Sequence, residues 1–268
     1  MQPISFSDRH VALGEHQVFV RHWQATAPDA GPPILLFHES LGCIPMWRGF
    51  PARLCAATGR RVIAYDRLGH GQSSPSARAP NSDFIADETR QVVVPLLDAL
   101  GIDRFIGYGH STGGSIALAA AGQLGERCAG VISEAGHAFV EACTLQGVEQ
   151  ARLRFQAPAR FQRLRHHHGE RAQWVLDTWV QTWLAPWFND WRLDDLLAAI
   201  HCPTLLLQGS QDPYGSLEQP RHIAAMIGAA ATVVVMEGCG HAPHLERTDE
   251  VVRHVGRFLE RIGGRAGV

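Results

Sequence analysis

The chain is 268 residues long, 46% hydrophobic and 19% charged, the length of one large α/β domain or two small ones, and able to bury about three quarters of its unfolded surface. That composition excludes a disordered chain, a collagen-like repeat and a small disulfide scaffold. The 24 basic residues are all arginine against 26 acidic ones, a net charge of −2 without a polybasic run, which speaks against nucleic-acid binding and rules out lysine-based Schiff-base or P-loop chemistry.

Short β-branched runs alternate with longer amphipathic stretches. Near the start, HQVFVRHW alternates apolar and polar residues and reads as a half-buried strand paired with the segment before Gly14. Continuous apolar runs follow at Pro33–His38, Arg61–Tyr65, Arg104–Gly109, Ala129–Ser133, Thr204–Gln208 and Thr232–Met236, the pattern of strands covered on both faces. Helices are expected at about 45–58, 83–100, 112–124, 216–228 and 245–262, and this alternation predicts a parallel sheet with helices on both sides. It breaks once. Gly136–Ile200 carries no convincing strand, is rich in Trp and Arg, and reads as a helical insertion into a core formed by residues 1–135 and 201–268.

No apolar run reaches the ~18 residues of a bilayer span, and the first residues, MQPISFSDRH, lack a basic-then-apolar leader pattern. The six cysteines are scattered without a CxxC pair. Free thiols and a cytoplasmic location are the expectation, with no membrane or nucleic-acid partner and a monomer or homodimer as the assembly.

The strongest chemical signal is Gly109-His110-Ser111-Thr112-Gly113. An apolar strand precedes it and a small-residue helix follows, the context in which G-x-S-x-G forms a sharp strand-to-helix turn that lifts the serine hydroxyl above the sheet. A serine hydroxyl needs an adjacent base, itself oriented by an acid. In such a sheet these follow in the order Ser, acid, His. Asp212 stands just after TLLLQGSQ and His241 just after TVVVMEGCG, both at C-terminal strand ends where side chains converge. Glu134, at the end of the sixth strand, is the alternative acid. The oxyanion donors are expected to be the backbone N–H of Thr112 and that of Ser40 in the His38–Gly42 loop; Glu39 occupies a position where many such loops carry glycine.

The segments FHESLGCIPMW, YDRLGHGQSS, GYGHSTGG, LLLQGSQDPYGS and EGCGHAPHLE, in this order across nearly the whole chain, resemble the α/β-hydrolase superfamily, in particular bacterial serine hydrolases of the carboxylesterase type with a short helical cap. The resemblance implies an α/β-hydrolase fold, a doubly wound and mostly parallel sheet of about eight strands, no cofactor, and a triad of Ser111, Asp212 and His241. It further implies a serine esterase acting on a small-molecule ester, lactone or thioester. Dehalogenases and epoxide hydrolases of the superfamily carry Asp at the elbow, where this chain has Ser111. Rival readings share the same residues: a C–C bond hydrolase of a ring-cleavage diketone, a cofactor-free oxygenase, or a non-catalytic ligand receptor.

Several further residues have both a structural and a functional reading. His137 lines the pocket or caps the turn into the insertion. Trp174, Trp179, Trp183, Trp187 and Trp191 fall roughly on one helical face, with Pro186 ending the helix; most fasten the insertion to the sheet, while Trp179 and Trp183 are candidates to roof an apolar pocket. The arginines between Arg152 and Arg171 form a solvated face or a cationic entrance for an anionic substrate. Asp66 and Arg67 are expected to pin their loop through ion pairs. Cys43 and Cys239, beside the oxyanion loop and the candidate base, would confer sensitivity to thiol reagents. His166-His167-His168 lacks the i, i+4 spacing of helical metal ligands, so no metal site is expected.

Overall fold

The computed structural model describes residues 4–26, 29–76 and 81–263. β1 (Ile4–Leu13) and β2 (His16–Ala25) pair antiparallel with Leu13 opposite His16, and Gly14 adopts the positive φ that this two-residue turn requires. β3 (Ile34–Phe37), β4 (Val62–Tyr65), β5 (Phe105–His110), β6 (Cys128–Glu134), β7 (Thr204–Gly209) and β8 (Ala231–Met236) complete one sheet of eight strands in the order β1-β2-β4-β3-β5-β6-β7-β8. Pairing is antiparallel at β1–β2 and β2–β4 and parallel elsewhere.

Between β3 and β4 lies α1 (Phe50–Thr58); between β4 and β5 lie α2 (Phe84–Glu88) and α3 (Val94–Ala99), joined by a π turn at Thr89–Val93. α4 (Thr112–Leu124) joins β5 to β6. The stretch between β6 and β7 holds α5 (Ala142–Phe155), α6 (Pro158–His168), α7 (Ala172–Trp183) and α8 (Asp194–Ala198). α9 (Glu218–Ile227) precedes β8, and α10 (Pro243–Glu246) and α11 (Thr248–Gly263) follow it. None of these described helices is long and apolar enough to cross a membrane.

The period-two geometry of strands divides the core cleanly. Leu35, Phe37, Ile63, Tyr65, Phe105, Val131 and Leu206 meet the α2–α4 side, whereas Ile34, Leu36, Val62, Ala64, Ile106, Ile132 and Leu207 meet α1 and α11. Burying each large apolar side chain contributes about 1.5–3 kcal/mol. β8 departs from the expectation of strands covered on both faces. As the sheet edge it leaves Val233 and Val235 exposed, so its unbroken apolar run does not report two-sided burial.

The stretch between β6 and β7 is helical, with one isolated strand bridge, Phe139 to Arg192. Gln219 of α9 is fully buried and fastens its entry: Ala138 N–H donates to Gln219 Oε1 at 2.8 Å, and Gln219 Nε2 donates to the Phe139 carbonyl at 3.0 Å. α7 stops at Trp183, three residues before Pro186. Trp183 and Trp191 are buried, but Trp187 is 51% exposed. The stripe of tryptophans breaks there because the chain has left the helix for a 3-10 turn at Pro186–Phe188.

Candidate active site

The β5–α4 turn puts Ser111 at φ +56°, a left-handed value uncommon for a non-glycine residue. Its tightness explains the flanking glycines. A Cβ on Gly109 would strike the Gly113 carbonyl, and one on Gly113 would strike the carbonyl of Phe37 at the end of β3. Backbone bonds hold the turn: Ser111 N–H donates to the Glu134 carbonyl at 2.8 Å, and Gly114 N–H to that of Ser111 at 2.8 Å. Thr112 opens α4, so its N–H has no intrahelical acceptor.

Asp212 and His241 meet at the strand ends. His241 Nδ1 lies 2.8 Å from Asp212 Oδ2 and 2.9 Å from Oδ1. The Asp212 side chain is fully buried. Burial acts to raise the carboxyl's pKa, but the His241 imidazole and the Tyr214 N–H, 2.8 Å from Oδ1, outweigh it and hold it below the usual range. Ser111 and His241 line the same cavity. Ser111 Oγ makes no hydrogen bond to His241 in this structure, and such bonds are often long in ligand-free sites.

Glu134, the alternative acid, is engaged elsewhere. Its Oε1 accepts from His244 Nδ1 at 2.6 Å and from His244 N–H at 3.1 Å, and its Oε2 accepts from Tyr108. Burial would raise this carboxyl, yet His244, His110 and Tyr108 together bring it down to about 2. His110 in turn donates from Nε2 to the His241 carbonyl at 2.7 Å, fixing the backbone of the residue that Asp212 orients.

The loop after β3 is fixed through its carbonyls. Glu39 O accepts from Arg67 at 3.1 Å, from Gly42 N–H at 3.0 Å, and lies 2.7 Å from His38 Nδ1. Ser40 O accepts from Arg67 and from His70 Nε2 at 3.0 Å. His168, on α6, lies with Nε2 2.9 Å from Leu41 O and accepts the Gly71 N–H at Nδ1. Asp66 accepts from Ile44 and Gln72 N–H groups at 2.7 and 2.8 Å, so Asp66 braces its own loop and the segment after β3, and it and Arg67 act here through hydrogen bonds to backbone rather than through the ion pairs expected. Among the described residues the Ser40 N–H has no acceptor, while its hydroxyl bonds Thr112 Oγ1 at 2.6 Å, bringing the two expected donor residues side by side.

The cavity above Ser111 has a volume of about 260 Å³. Ser40, Thr112, His137, Trp179, Trp183 and His241 all line it. His137 donates from Nε2 to Tyr214 O at 3.1 Å, and Thr144 Oγ1 donates to the same carbonyl at 2.6 Å, so the start of the helical stretch braces the loop that carries Asp212. Trp174 is elsewhere: it packs on Gly69, where a Cβ would strike its ring. Of the arginines from 152 to 171, Arg160 alone lines the cavity; Arg152 pairs with Glu149 and Arg171 donates to Gly71 O. Cys43 and Cys239 are 1% exposed and their thiols are raised by burial, that of Cys239 to about 11, which removes the thiolate that reagents need.

Sequence reading missed the parts played by His168, His70, His244 and Arg160. His168 carried a signal only as part of a histidine run, His70 and His244 lie in the segments YDRLGHGQSS and EGCGHAPHLE without a mark of their own, and Arg160 was one arginine of the group from 152 to 171.

The chain belongs to the α/β-hydrolase fold family, whose model matches residues 32–248. It is 28% identical over 257 residues to the dihydrolipoyllysine-residue acetyltransferase component of the acetoin cleaving system of Pseudomonas putida, covering 89% of this chain and 66% of that protein. It is 34% identical over 104 residues to haloalkane dehalogenase 2 of Mycobacterium tuberculosis, covering 38% of this chain and 34% of that one. The chain therefore spans less than two thirds of the length of these relatives. Among solved structures it is similar to a serine hydrolase from the polyaromatic-hydrocarbon-degrading bacterium Cycloclasticus zankles, with a TM-score of 0.80 at 19% identity over 96% of this chain and 98% of that one. That likeness is one of fold.

Proposed function

We propose that this protein is a serine hydrolase that cleaves a carboxylic ester, lactone or thioester through an acyl-enzyme. One observation carries the reading: Ser111, raised on a left-handed turn at a helix N-terminus, lines one cavity with His241, whose Nδ1 sits 2.8 Å from the buried Asp212.

In the first step His241 Nε2 takes the proton of Ser111 Oγ as that oxygen attacks the carbonyl carbon. Asp212 holds the Nδ1–H tautomer and stabilises the imidazolium that forms. The oxyanion accepts from the N–H groups of Thr112 and Ser40; losing one such donor typically costs about 3–4 kcal/mol of transition-state stabilisation. The imidazolium protonates the leaving alcohol or thiol, and water then repeats the sequence to release the acid. The dehalogenase likeness does not extend to the nucleophile, because halide displacement in that group uses a carboxylate at the elbow and this chain has a hydroxyl.

Residues 136–200 act as the cap: Trp179 and Trp183 give the cavity an apolar roof suited to an acyl chain. The test is Ser111→Ala against a panel of p-nitrophenyl esters and acyl thioesters. It should retain the fold and lose kcat by at least about 10³-fold; retention of more than a few per cent of kcat would refute the assignment.

A further inference from the structure

A carboxyl group stands in the cavity with only one of its two oxygens bonded to the protein. Glu39 directly precedes Ser40, lines the cavity with Ser111 and His241, and is half-buried. One of its oxygens, Oε2, accepts the Leu41 N–H at 2.6 Å. Among the described residues no donor bonds Oε1 and no cation lies within salt-bridge distance of the carboxyl; Oε1 opens on the cavity, and Arg67 spends its guanidinium on the carbonyls of Glu39 and Ser40. The cavity around it is otherwise largely apolar, with Leu41, Cys43, Met46, Trp47 and Leu245 in its wall.

This placement is electrostatically odd for a site that must gather negative charge. A carboxylate beside an oxyanion hole repels the developing oxyanion, and Oε1 loses its access to water when an apolar acyl group fills the cavity, which is costly unless a donor replaces it. Burial pushes the Glu39 carboxyl up, which the Leu41 N–H and the nearby His241, Arg67 and His244 only partly offset. A substrate that brings its own donor to Oε1 resolves both problems at once. A hydroxyl hydrogen-bonds the oxygen, and an ammonium also neutralises it.

We propose that Glu39 is a specificity residue that receives a hydrogen-bond donor, a hydroxyl or an ammonium, borne by the acyl part of the substrate next to the scissile carbonyl. This rests on the serine-hydrolase reading and names the substrate class within it. A site built to bond such a donor discriminates strongly against the analogue without it, since its own polar group is then left unpaired. Glu39 has no place in the bond-making steps: the donor's proton stays on the substrate, and only the preference among acyl groups depends on it.

The experiment compares methyl butyrate, methyl 2-hydroxybutyrate and methyl 2-aminobutyrate by acid release, in the wild type, Glu39→Gln and Glu39→Ala. The readout is the ratio of kcat/KM for each donor-bearing ester to that for methyl butyrate, so that any general damage cancels. Glu39→Gln keeps an amide oxygen for the Leu41 N–H but turns an N–H group toward the cavity, and thus isolates the role of Oε1 from that of the loop. The wild type should favour at least one donor-bearing ester by tenfold or more, with the ratio near one in both variants. A gain with the amino ester alone assigns an ammonium, and a gain with the hydroxy ester assigns a hydroxyl. Turnover of all three esters at equal efficiency, or a ratio unchanged in both variants, would overturn the role of Glu39 while leaving the serine-hydrolase reading standing. Turnover of none of the three would count against both.

Discussion

His168 Nε2 lies 2.9 Å from the carbonyl oxygen of Leu41, tying the end of α6 to the loop expected to supply an oxyanion donor. The seating of α6 thereby helps to fix the backbone of that loop. His168→Leu removes this bond and the one to Gly71. Displacements of about 1 Å in a positioning element cost up to ~10²-fold, so kcat should fall tenfold or more, with a smaller change in KM for a short ester. An unaltered kcat would show that the loop is fixed by Arg67 and His70 alone.

The same cluster makes the fold sensitive to acid. Burial holds His168 near 4 and His110 near 3, and burial with the Arg67 charge keeps His38 and His70 well below the usual histidine value. An unfolded chain protonates these groups near ~6.5. Between the folded and unfolded values the unfolded state binds more protons, so stability falls as pH drops from ~6.5 toward 4, by up to about 1.4 kcal/mol per pH unit for each group. Asp66 opposes this: burial raises it to about 6, so it favours the folded state as pH falls through that value. Glu39, also raised by burial, acts in the same sense as Asp66, but the four histidines, joined by His22 and His137, outweigh the two carboxyls. Urea midpoints should drop clearly between pH 7 and pH 5; a constant or rising midpoint would contradict the burial of neutral histidines.

The two buried carboxyls should separate by phenotype. Asp212→Asn breaks the partner of His241 and should lower kcat by roughly 10³–10⁴-fold with modest loss of stability. Glu134→Gln leaves Asp212 and His241 in contact but removes the charge paired with His244. It should cost about 3–5 kcal/mol of stability and keep kcat within about tenfold. Unfolding curves and kinetics on the two variants check the ranking, and the reverse would make Glu134 the acid.

Arg160 of α6 is the arginine of the 152–171 group that lines the cavity, so Arg160→Gln should weaken kcat/KM for a carboxylate-bearing ester more than for a neutral ester of equal length. The difference should shrink as salt rises from 0.01 to 1 M, which shortens the screening length from about 30 to about 3 Å. Arg152→Gln, whose side chain already pairs with Glu149 on the surface, should treat both esters alike. Equal effects of Arg160→Gln on the two esters would mark it as a solvated residue.

Much of this site was legible before any coordinates. The elbow, the Ser–acid–His order and the strand ends are local or follow from the alternation of elements, and each leaves a mark in sequence. Glu39 was visible as a departure at a glycine position, though not what its second oxygen faces. What was hidden depends on packing between distant segments. His168 shares its run with His166 and His167, and only the seating of α6 buries the third residue over Leu41. Likewise the pairing of Glu134 with His244 rather than His241 is decided by α10, which turns the chain three residues after His241.

The tryptophans offer a test of that packing. Trp183 is 2% exposed and packs against His137 and Phe188 with ring centroids 5.1 and 5.3 Å away. Trp183→Ala should cost about 3–5 kcal/mol, whereas Trp187→Ala should stay within about 0.5 kcal/mol. Equal losses in denaturant unfolding would mean that the 3-10 turn carries more of the fold than its exposure indicates.

The site of covalent capture by a fluorophosphonate reads out whether Ser111 is a nucleophile activated by His241. The wild type should gain one adduct, mapped by peptide mass spectrometry to Ser111, with labelling abolished in Ser111→Ala and slowed at least about 10²-fold in His241→Ala. An unlabelled wild type, or an adduct that persists in Ser111→Ala, would contradict the account.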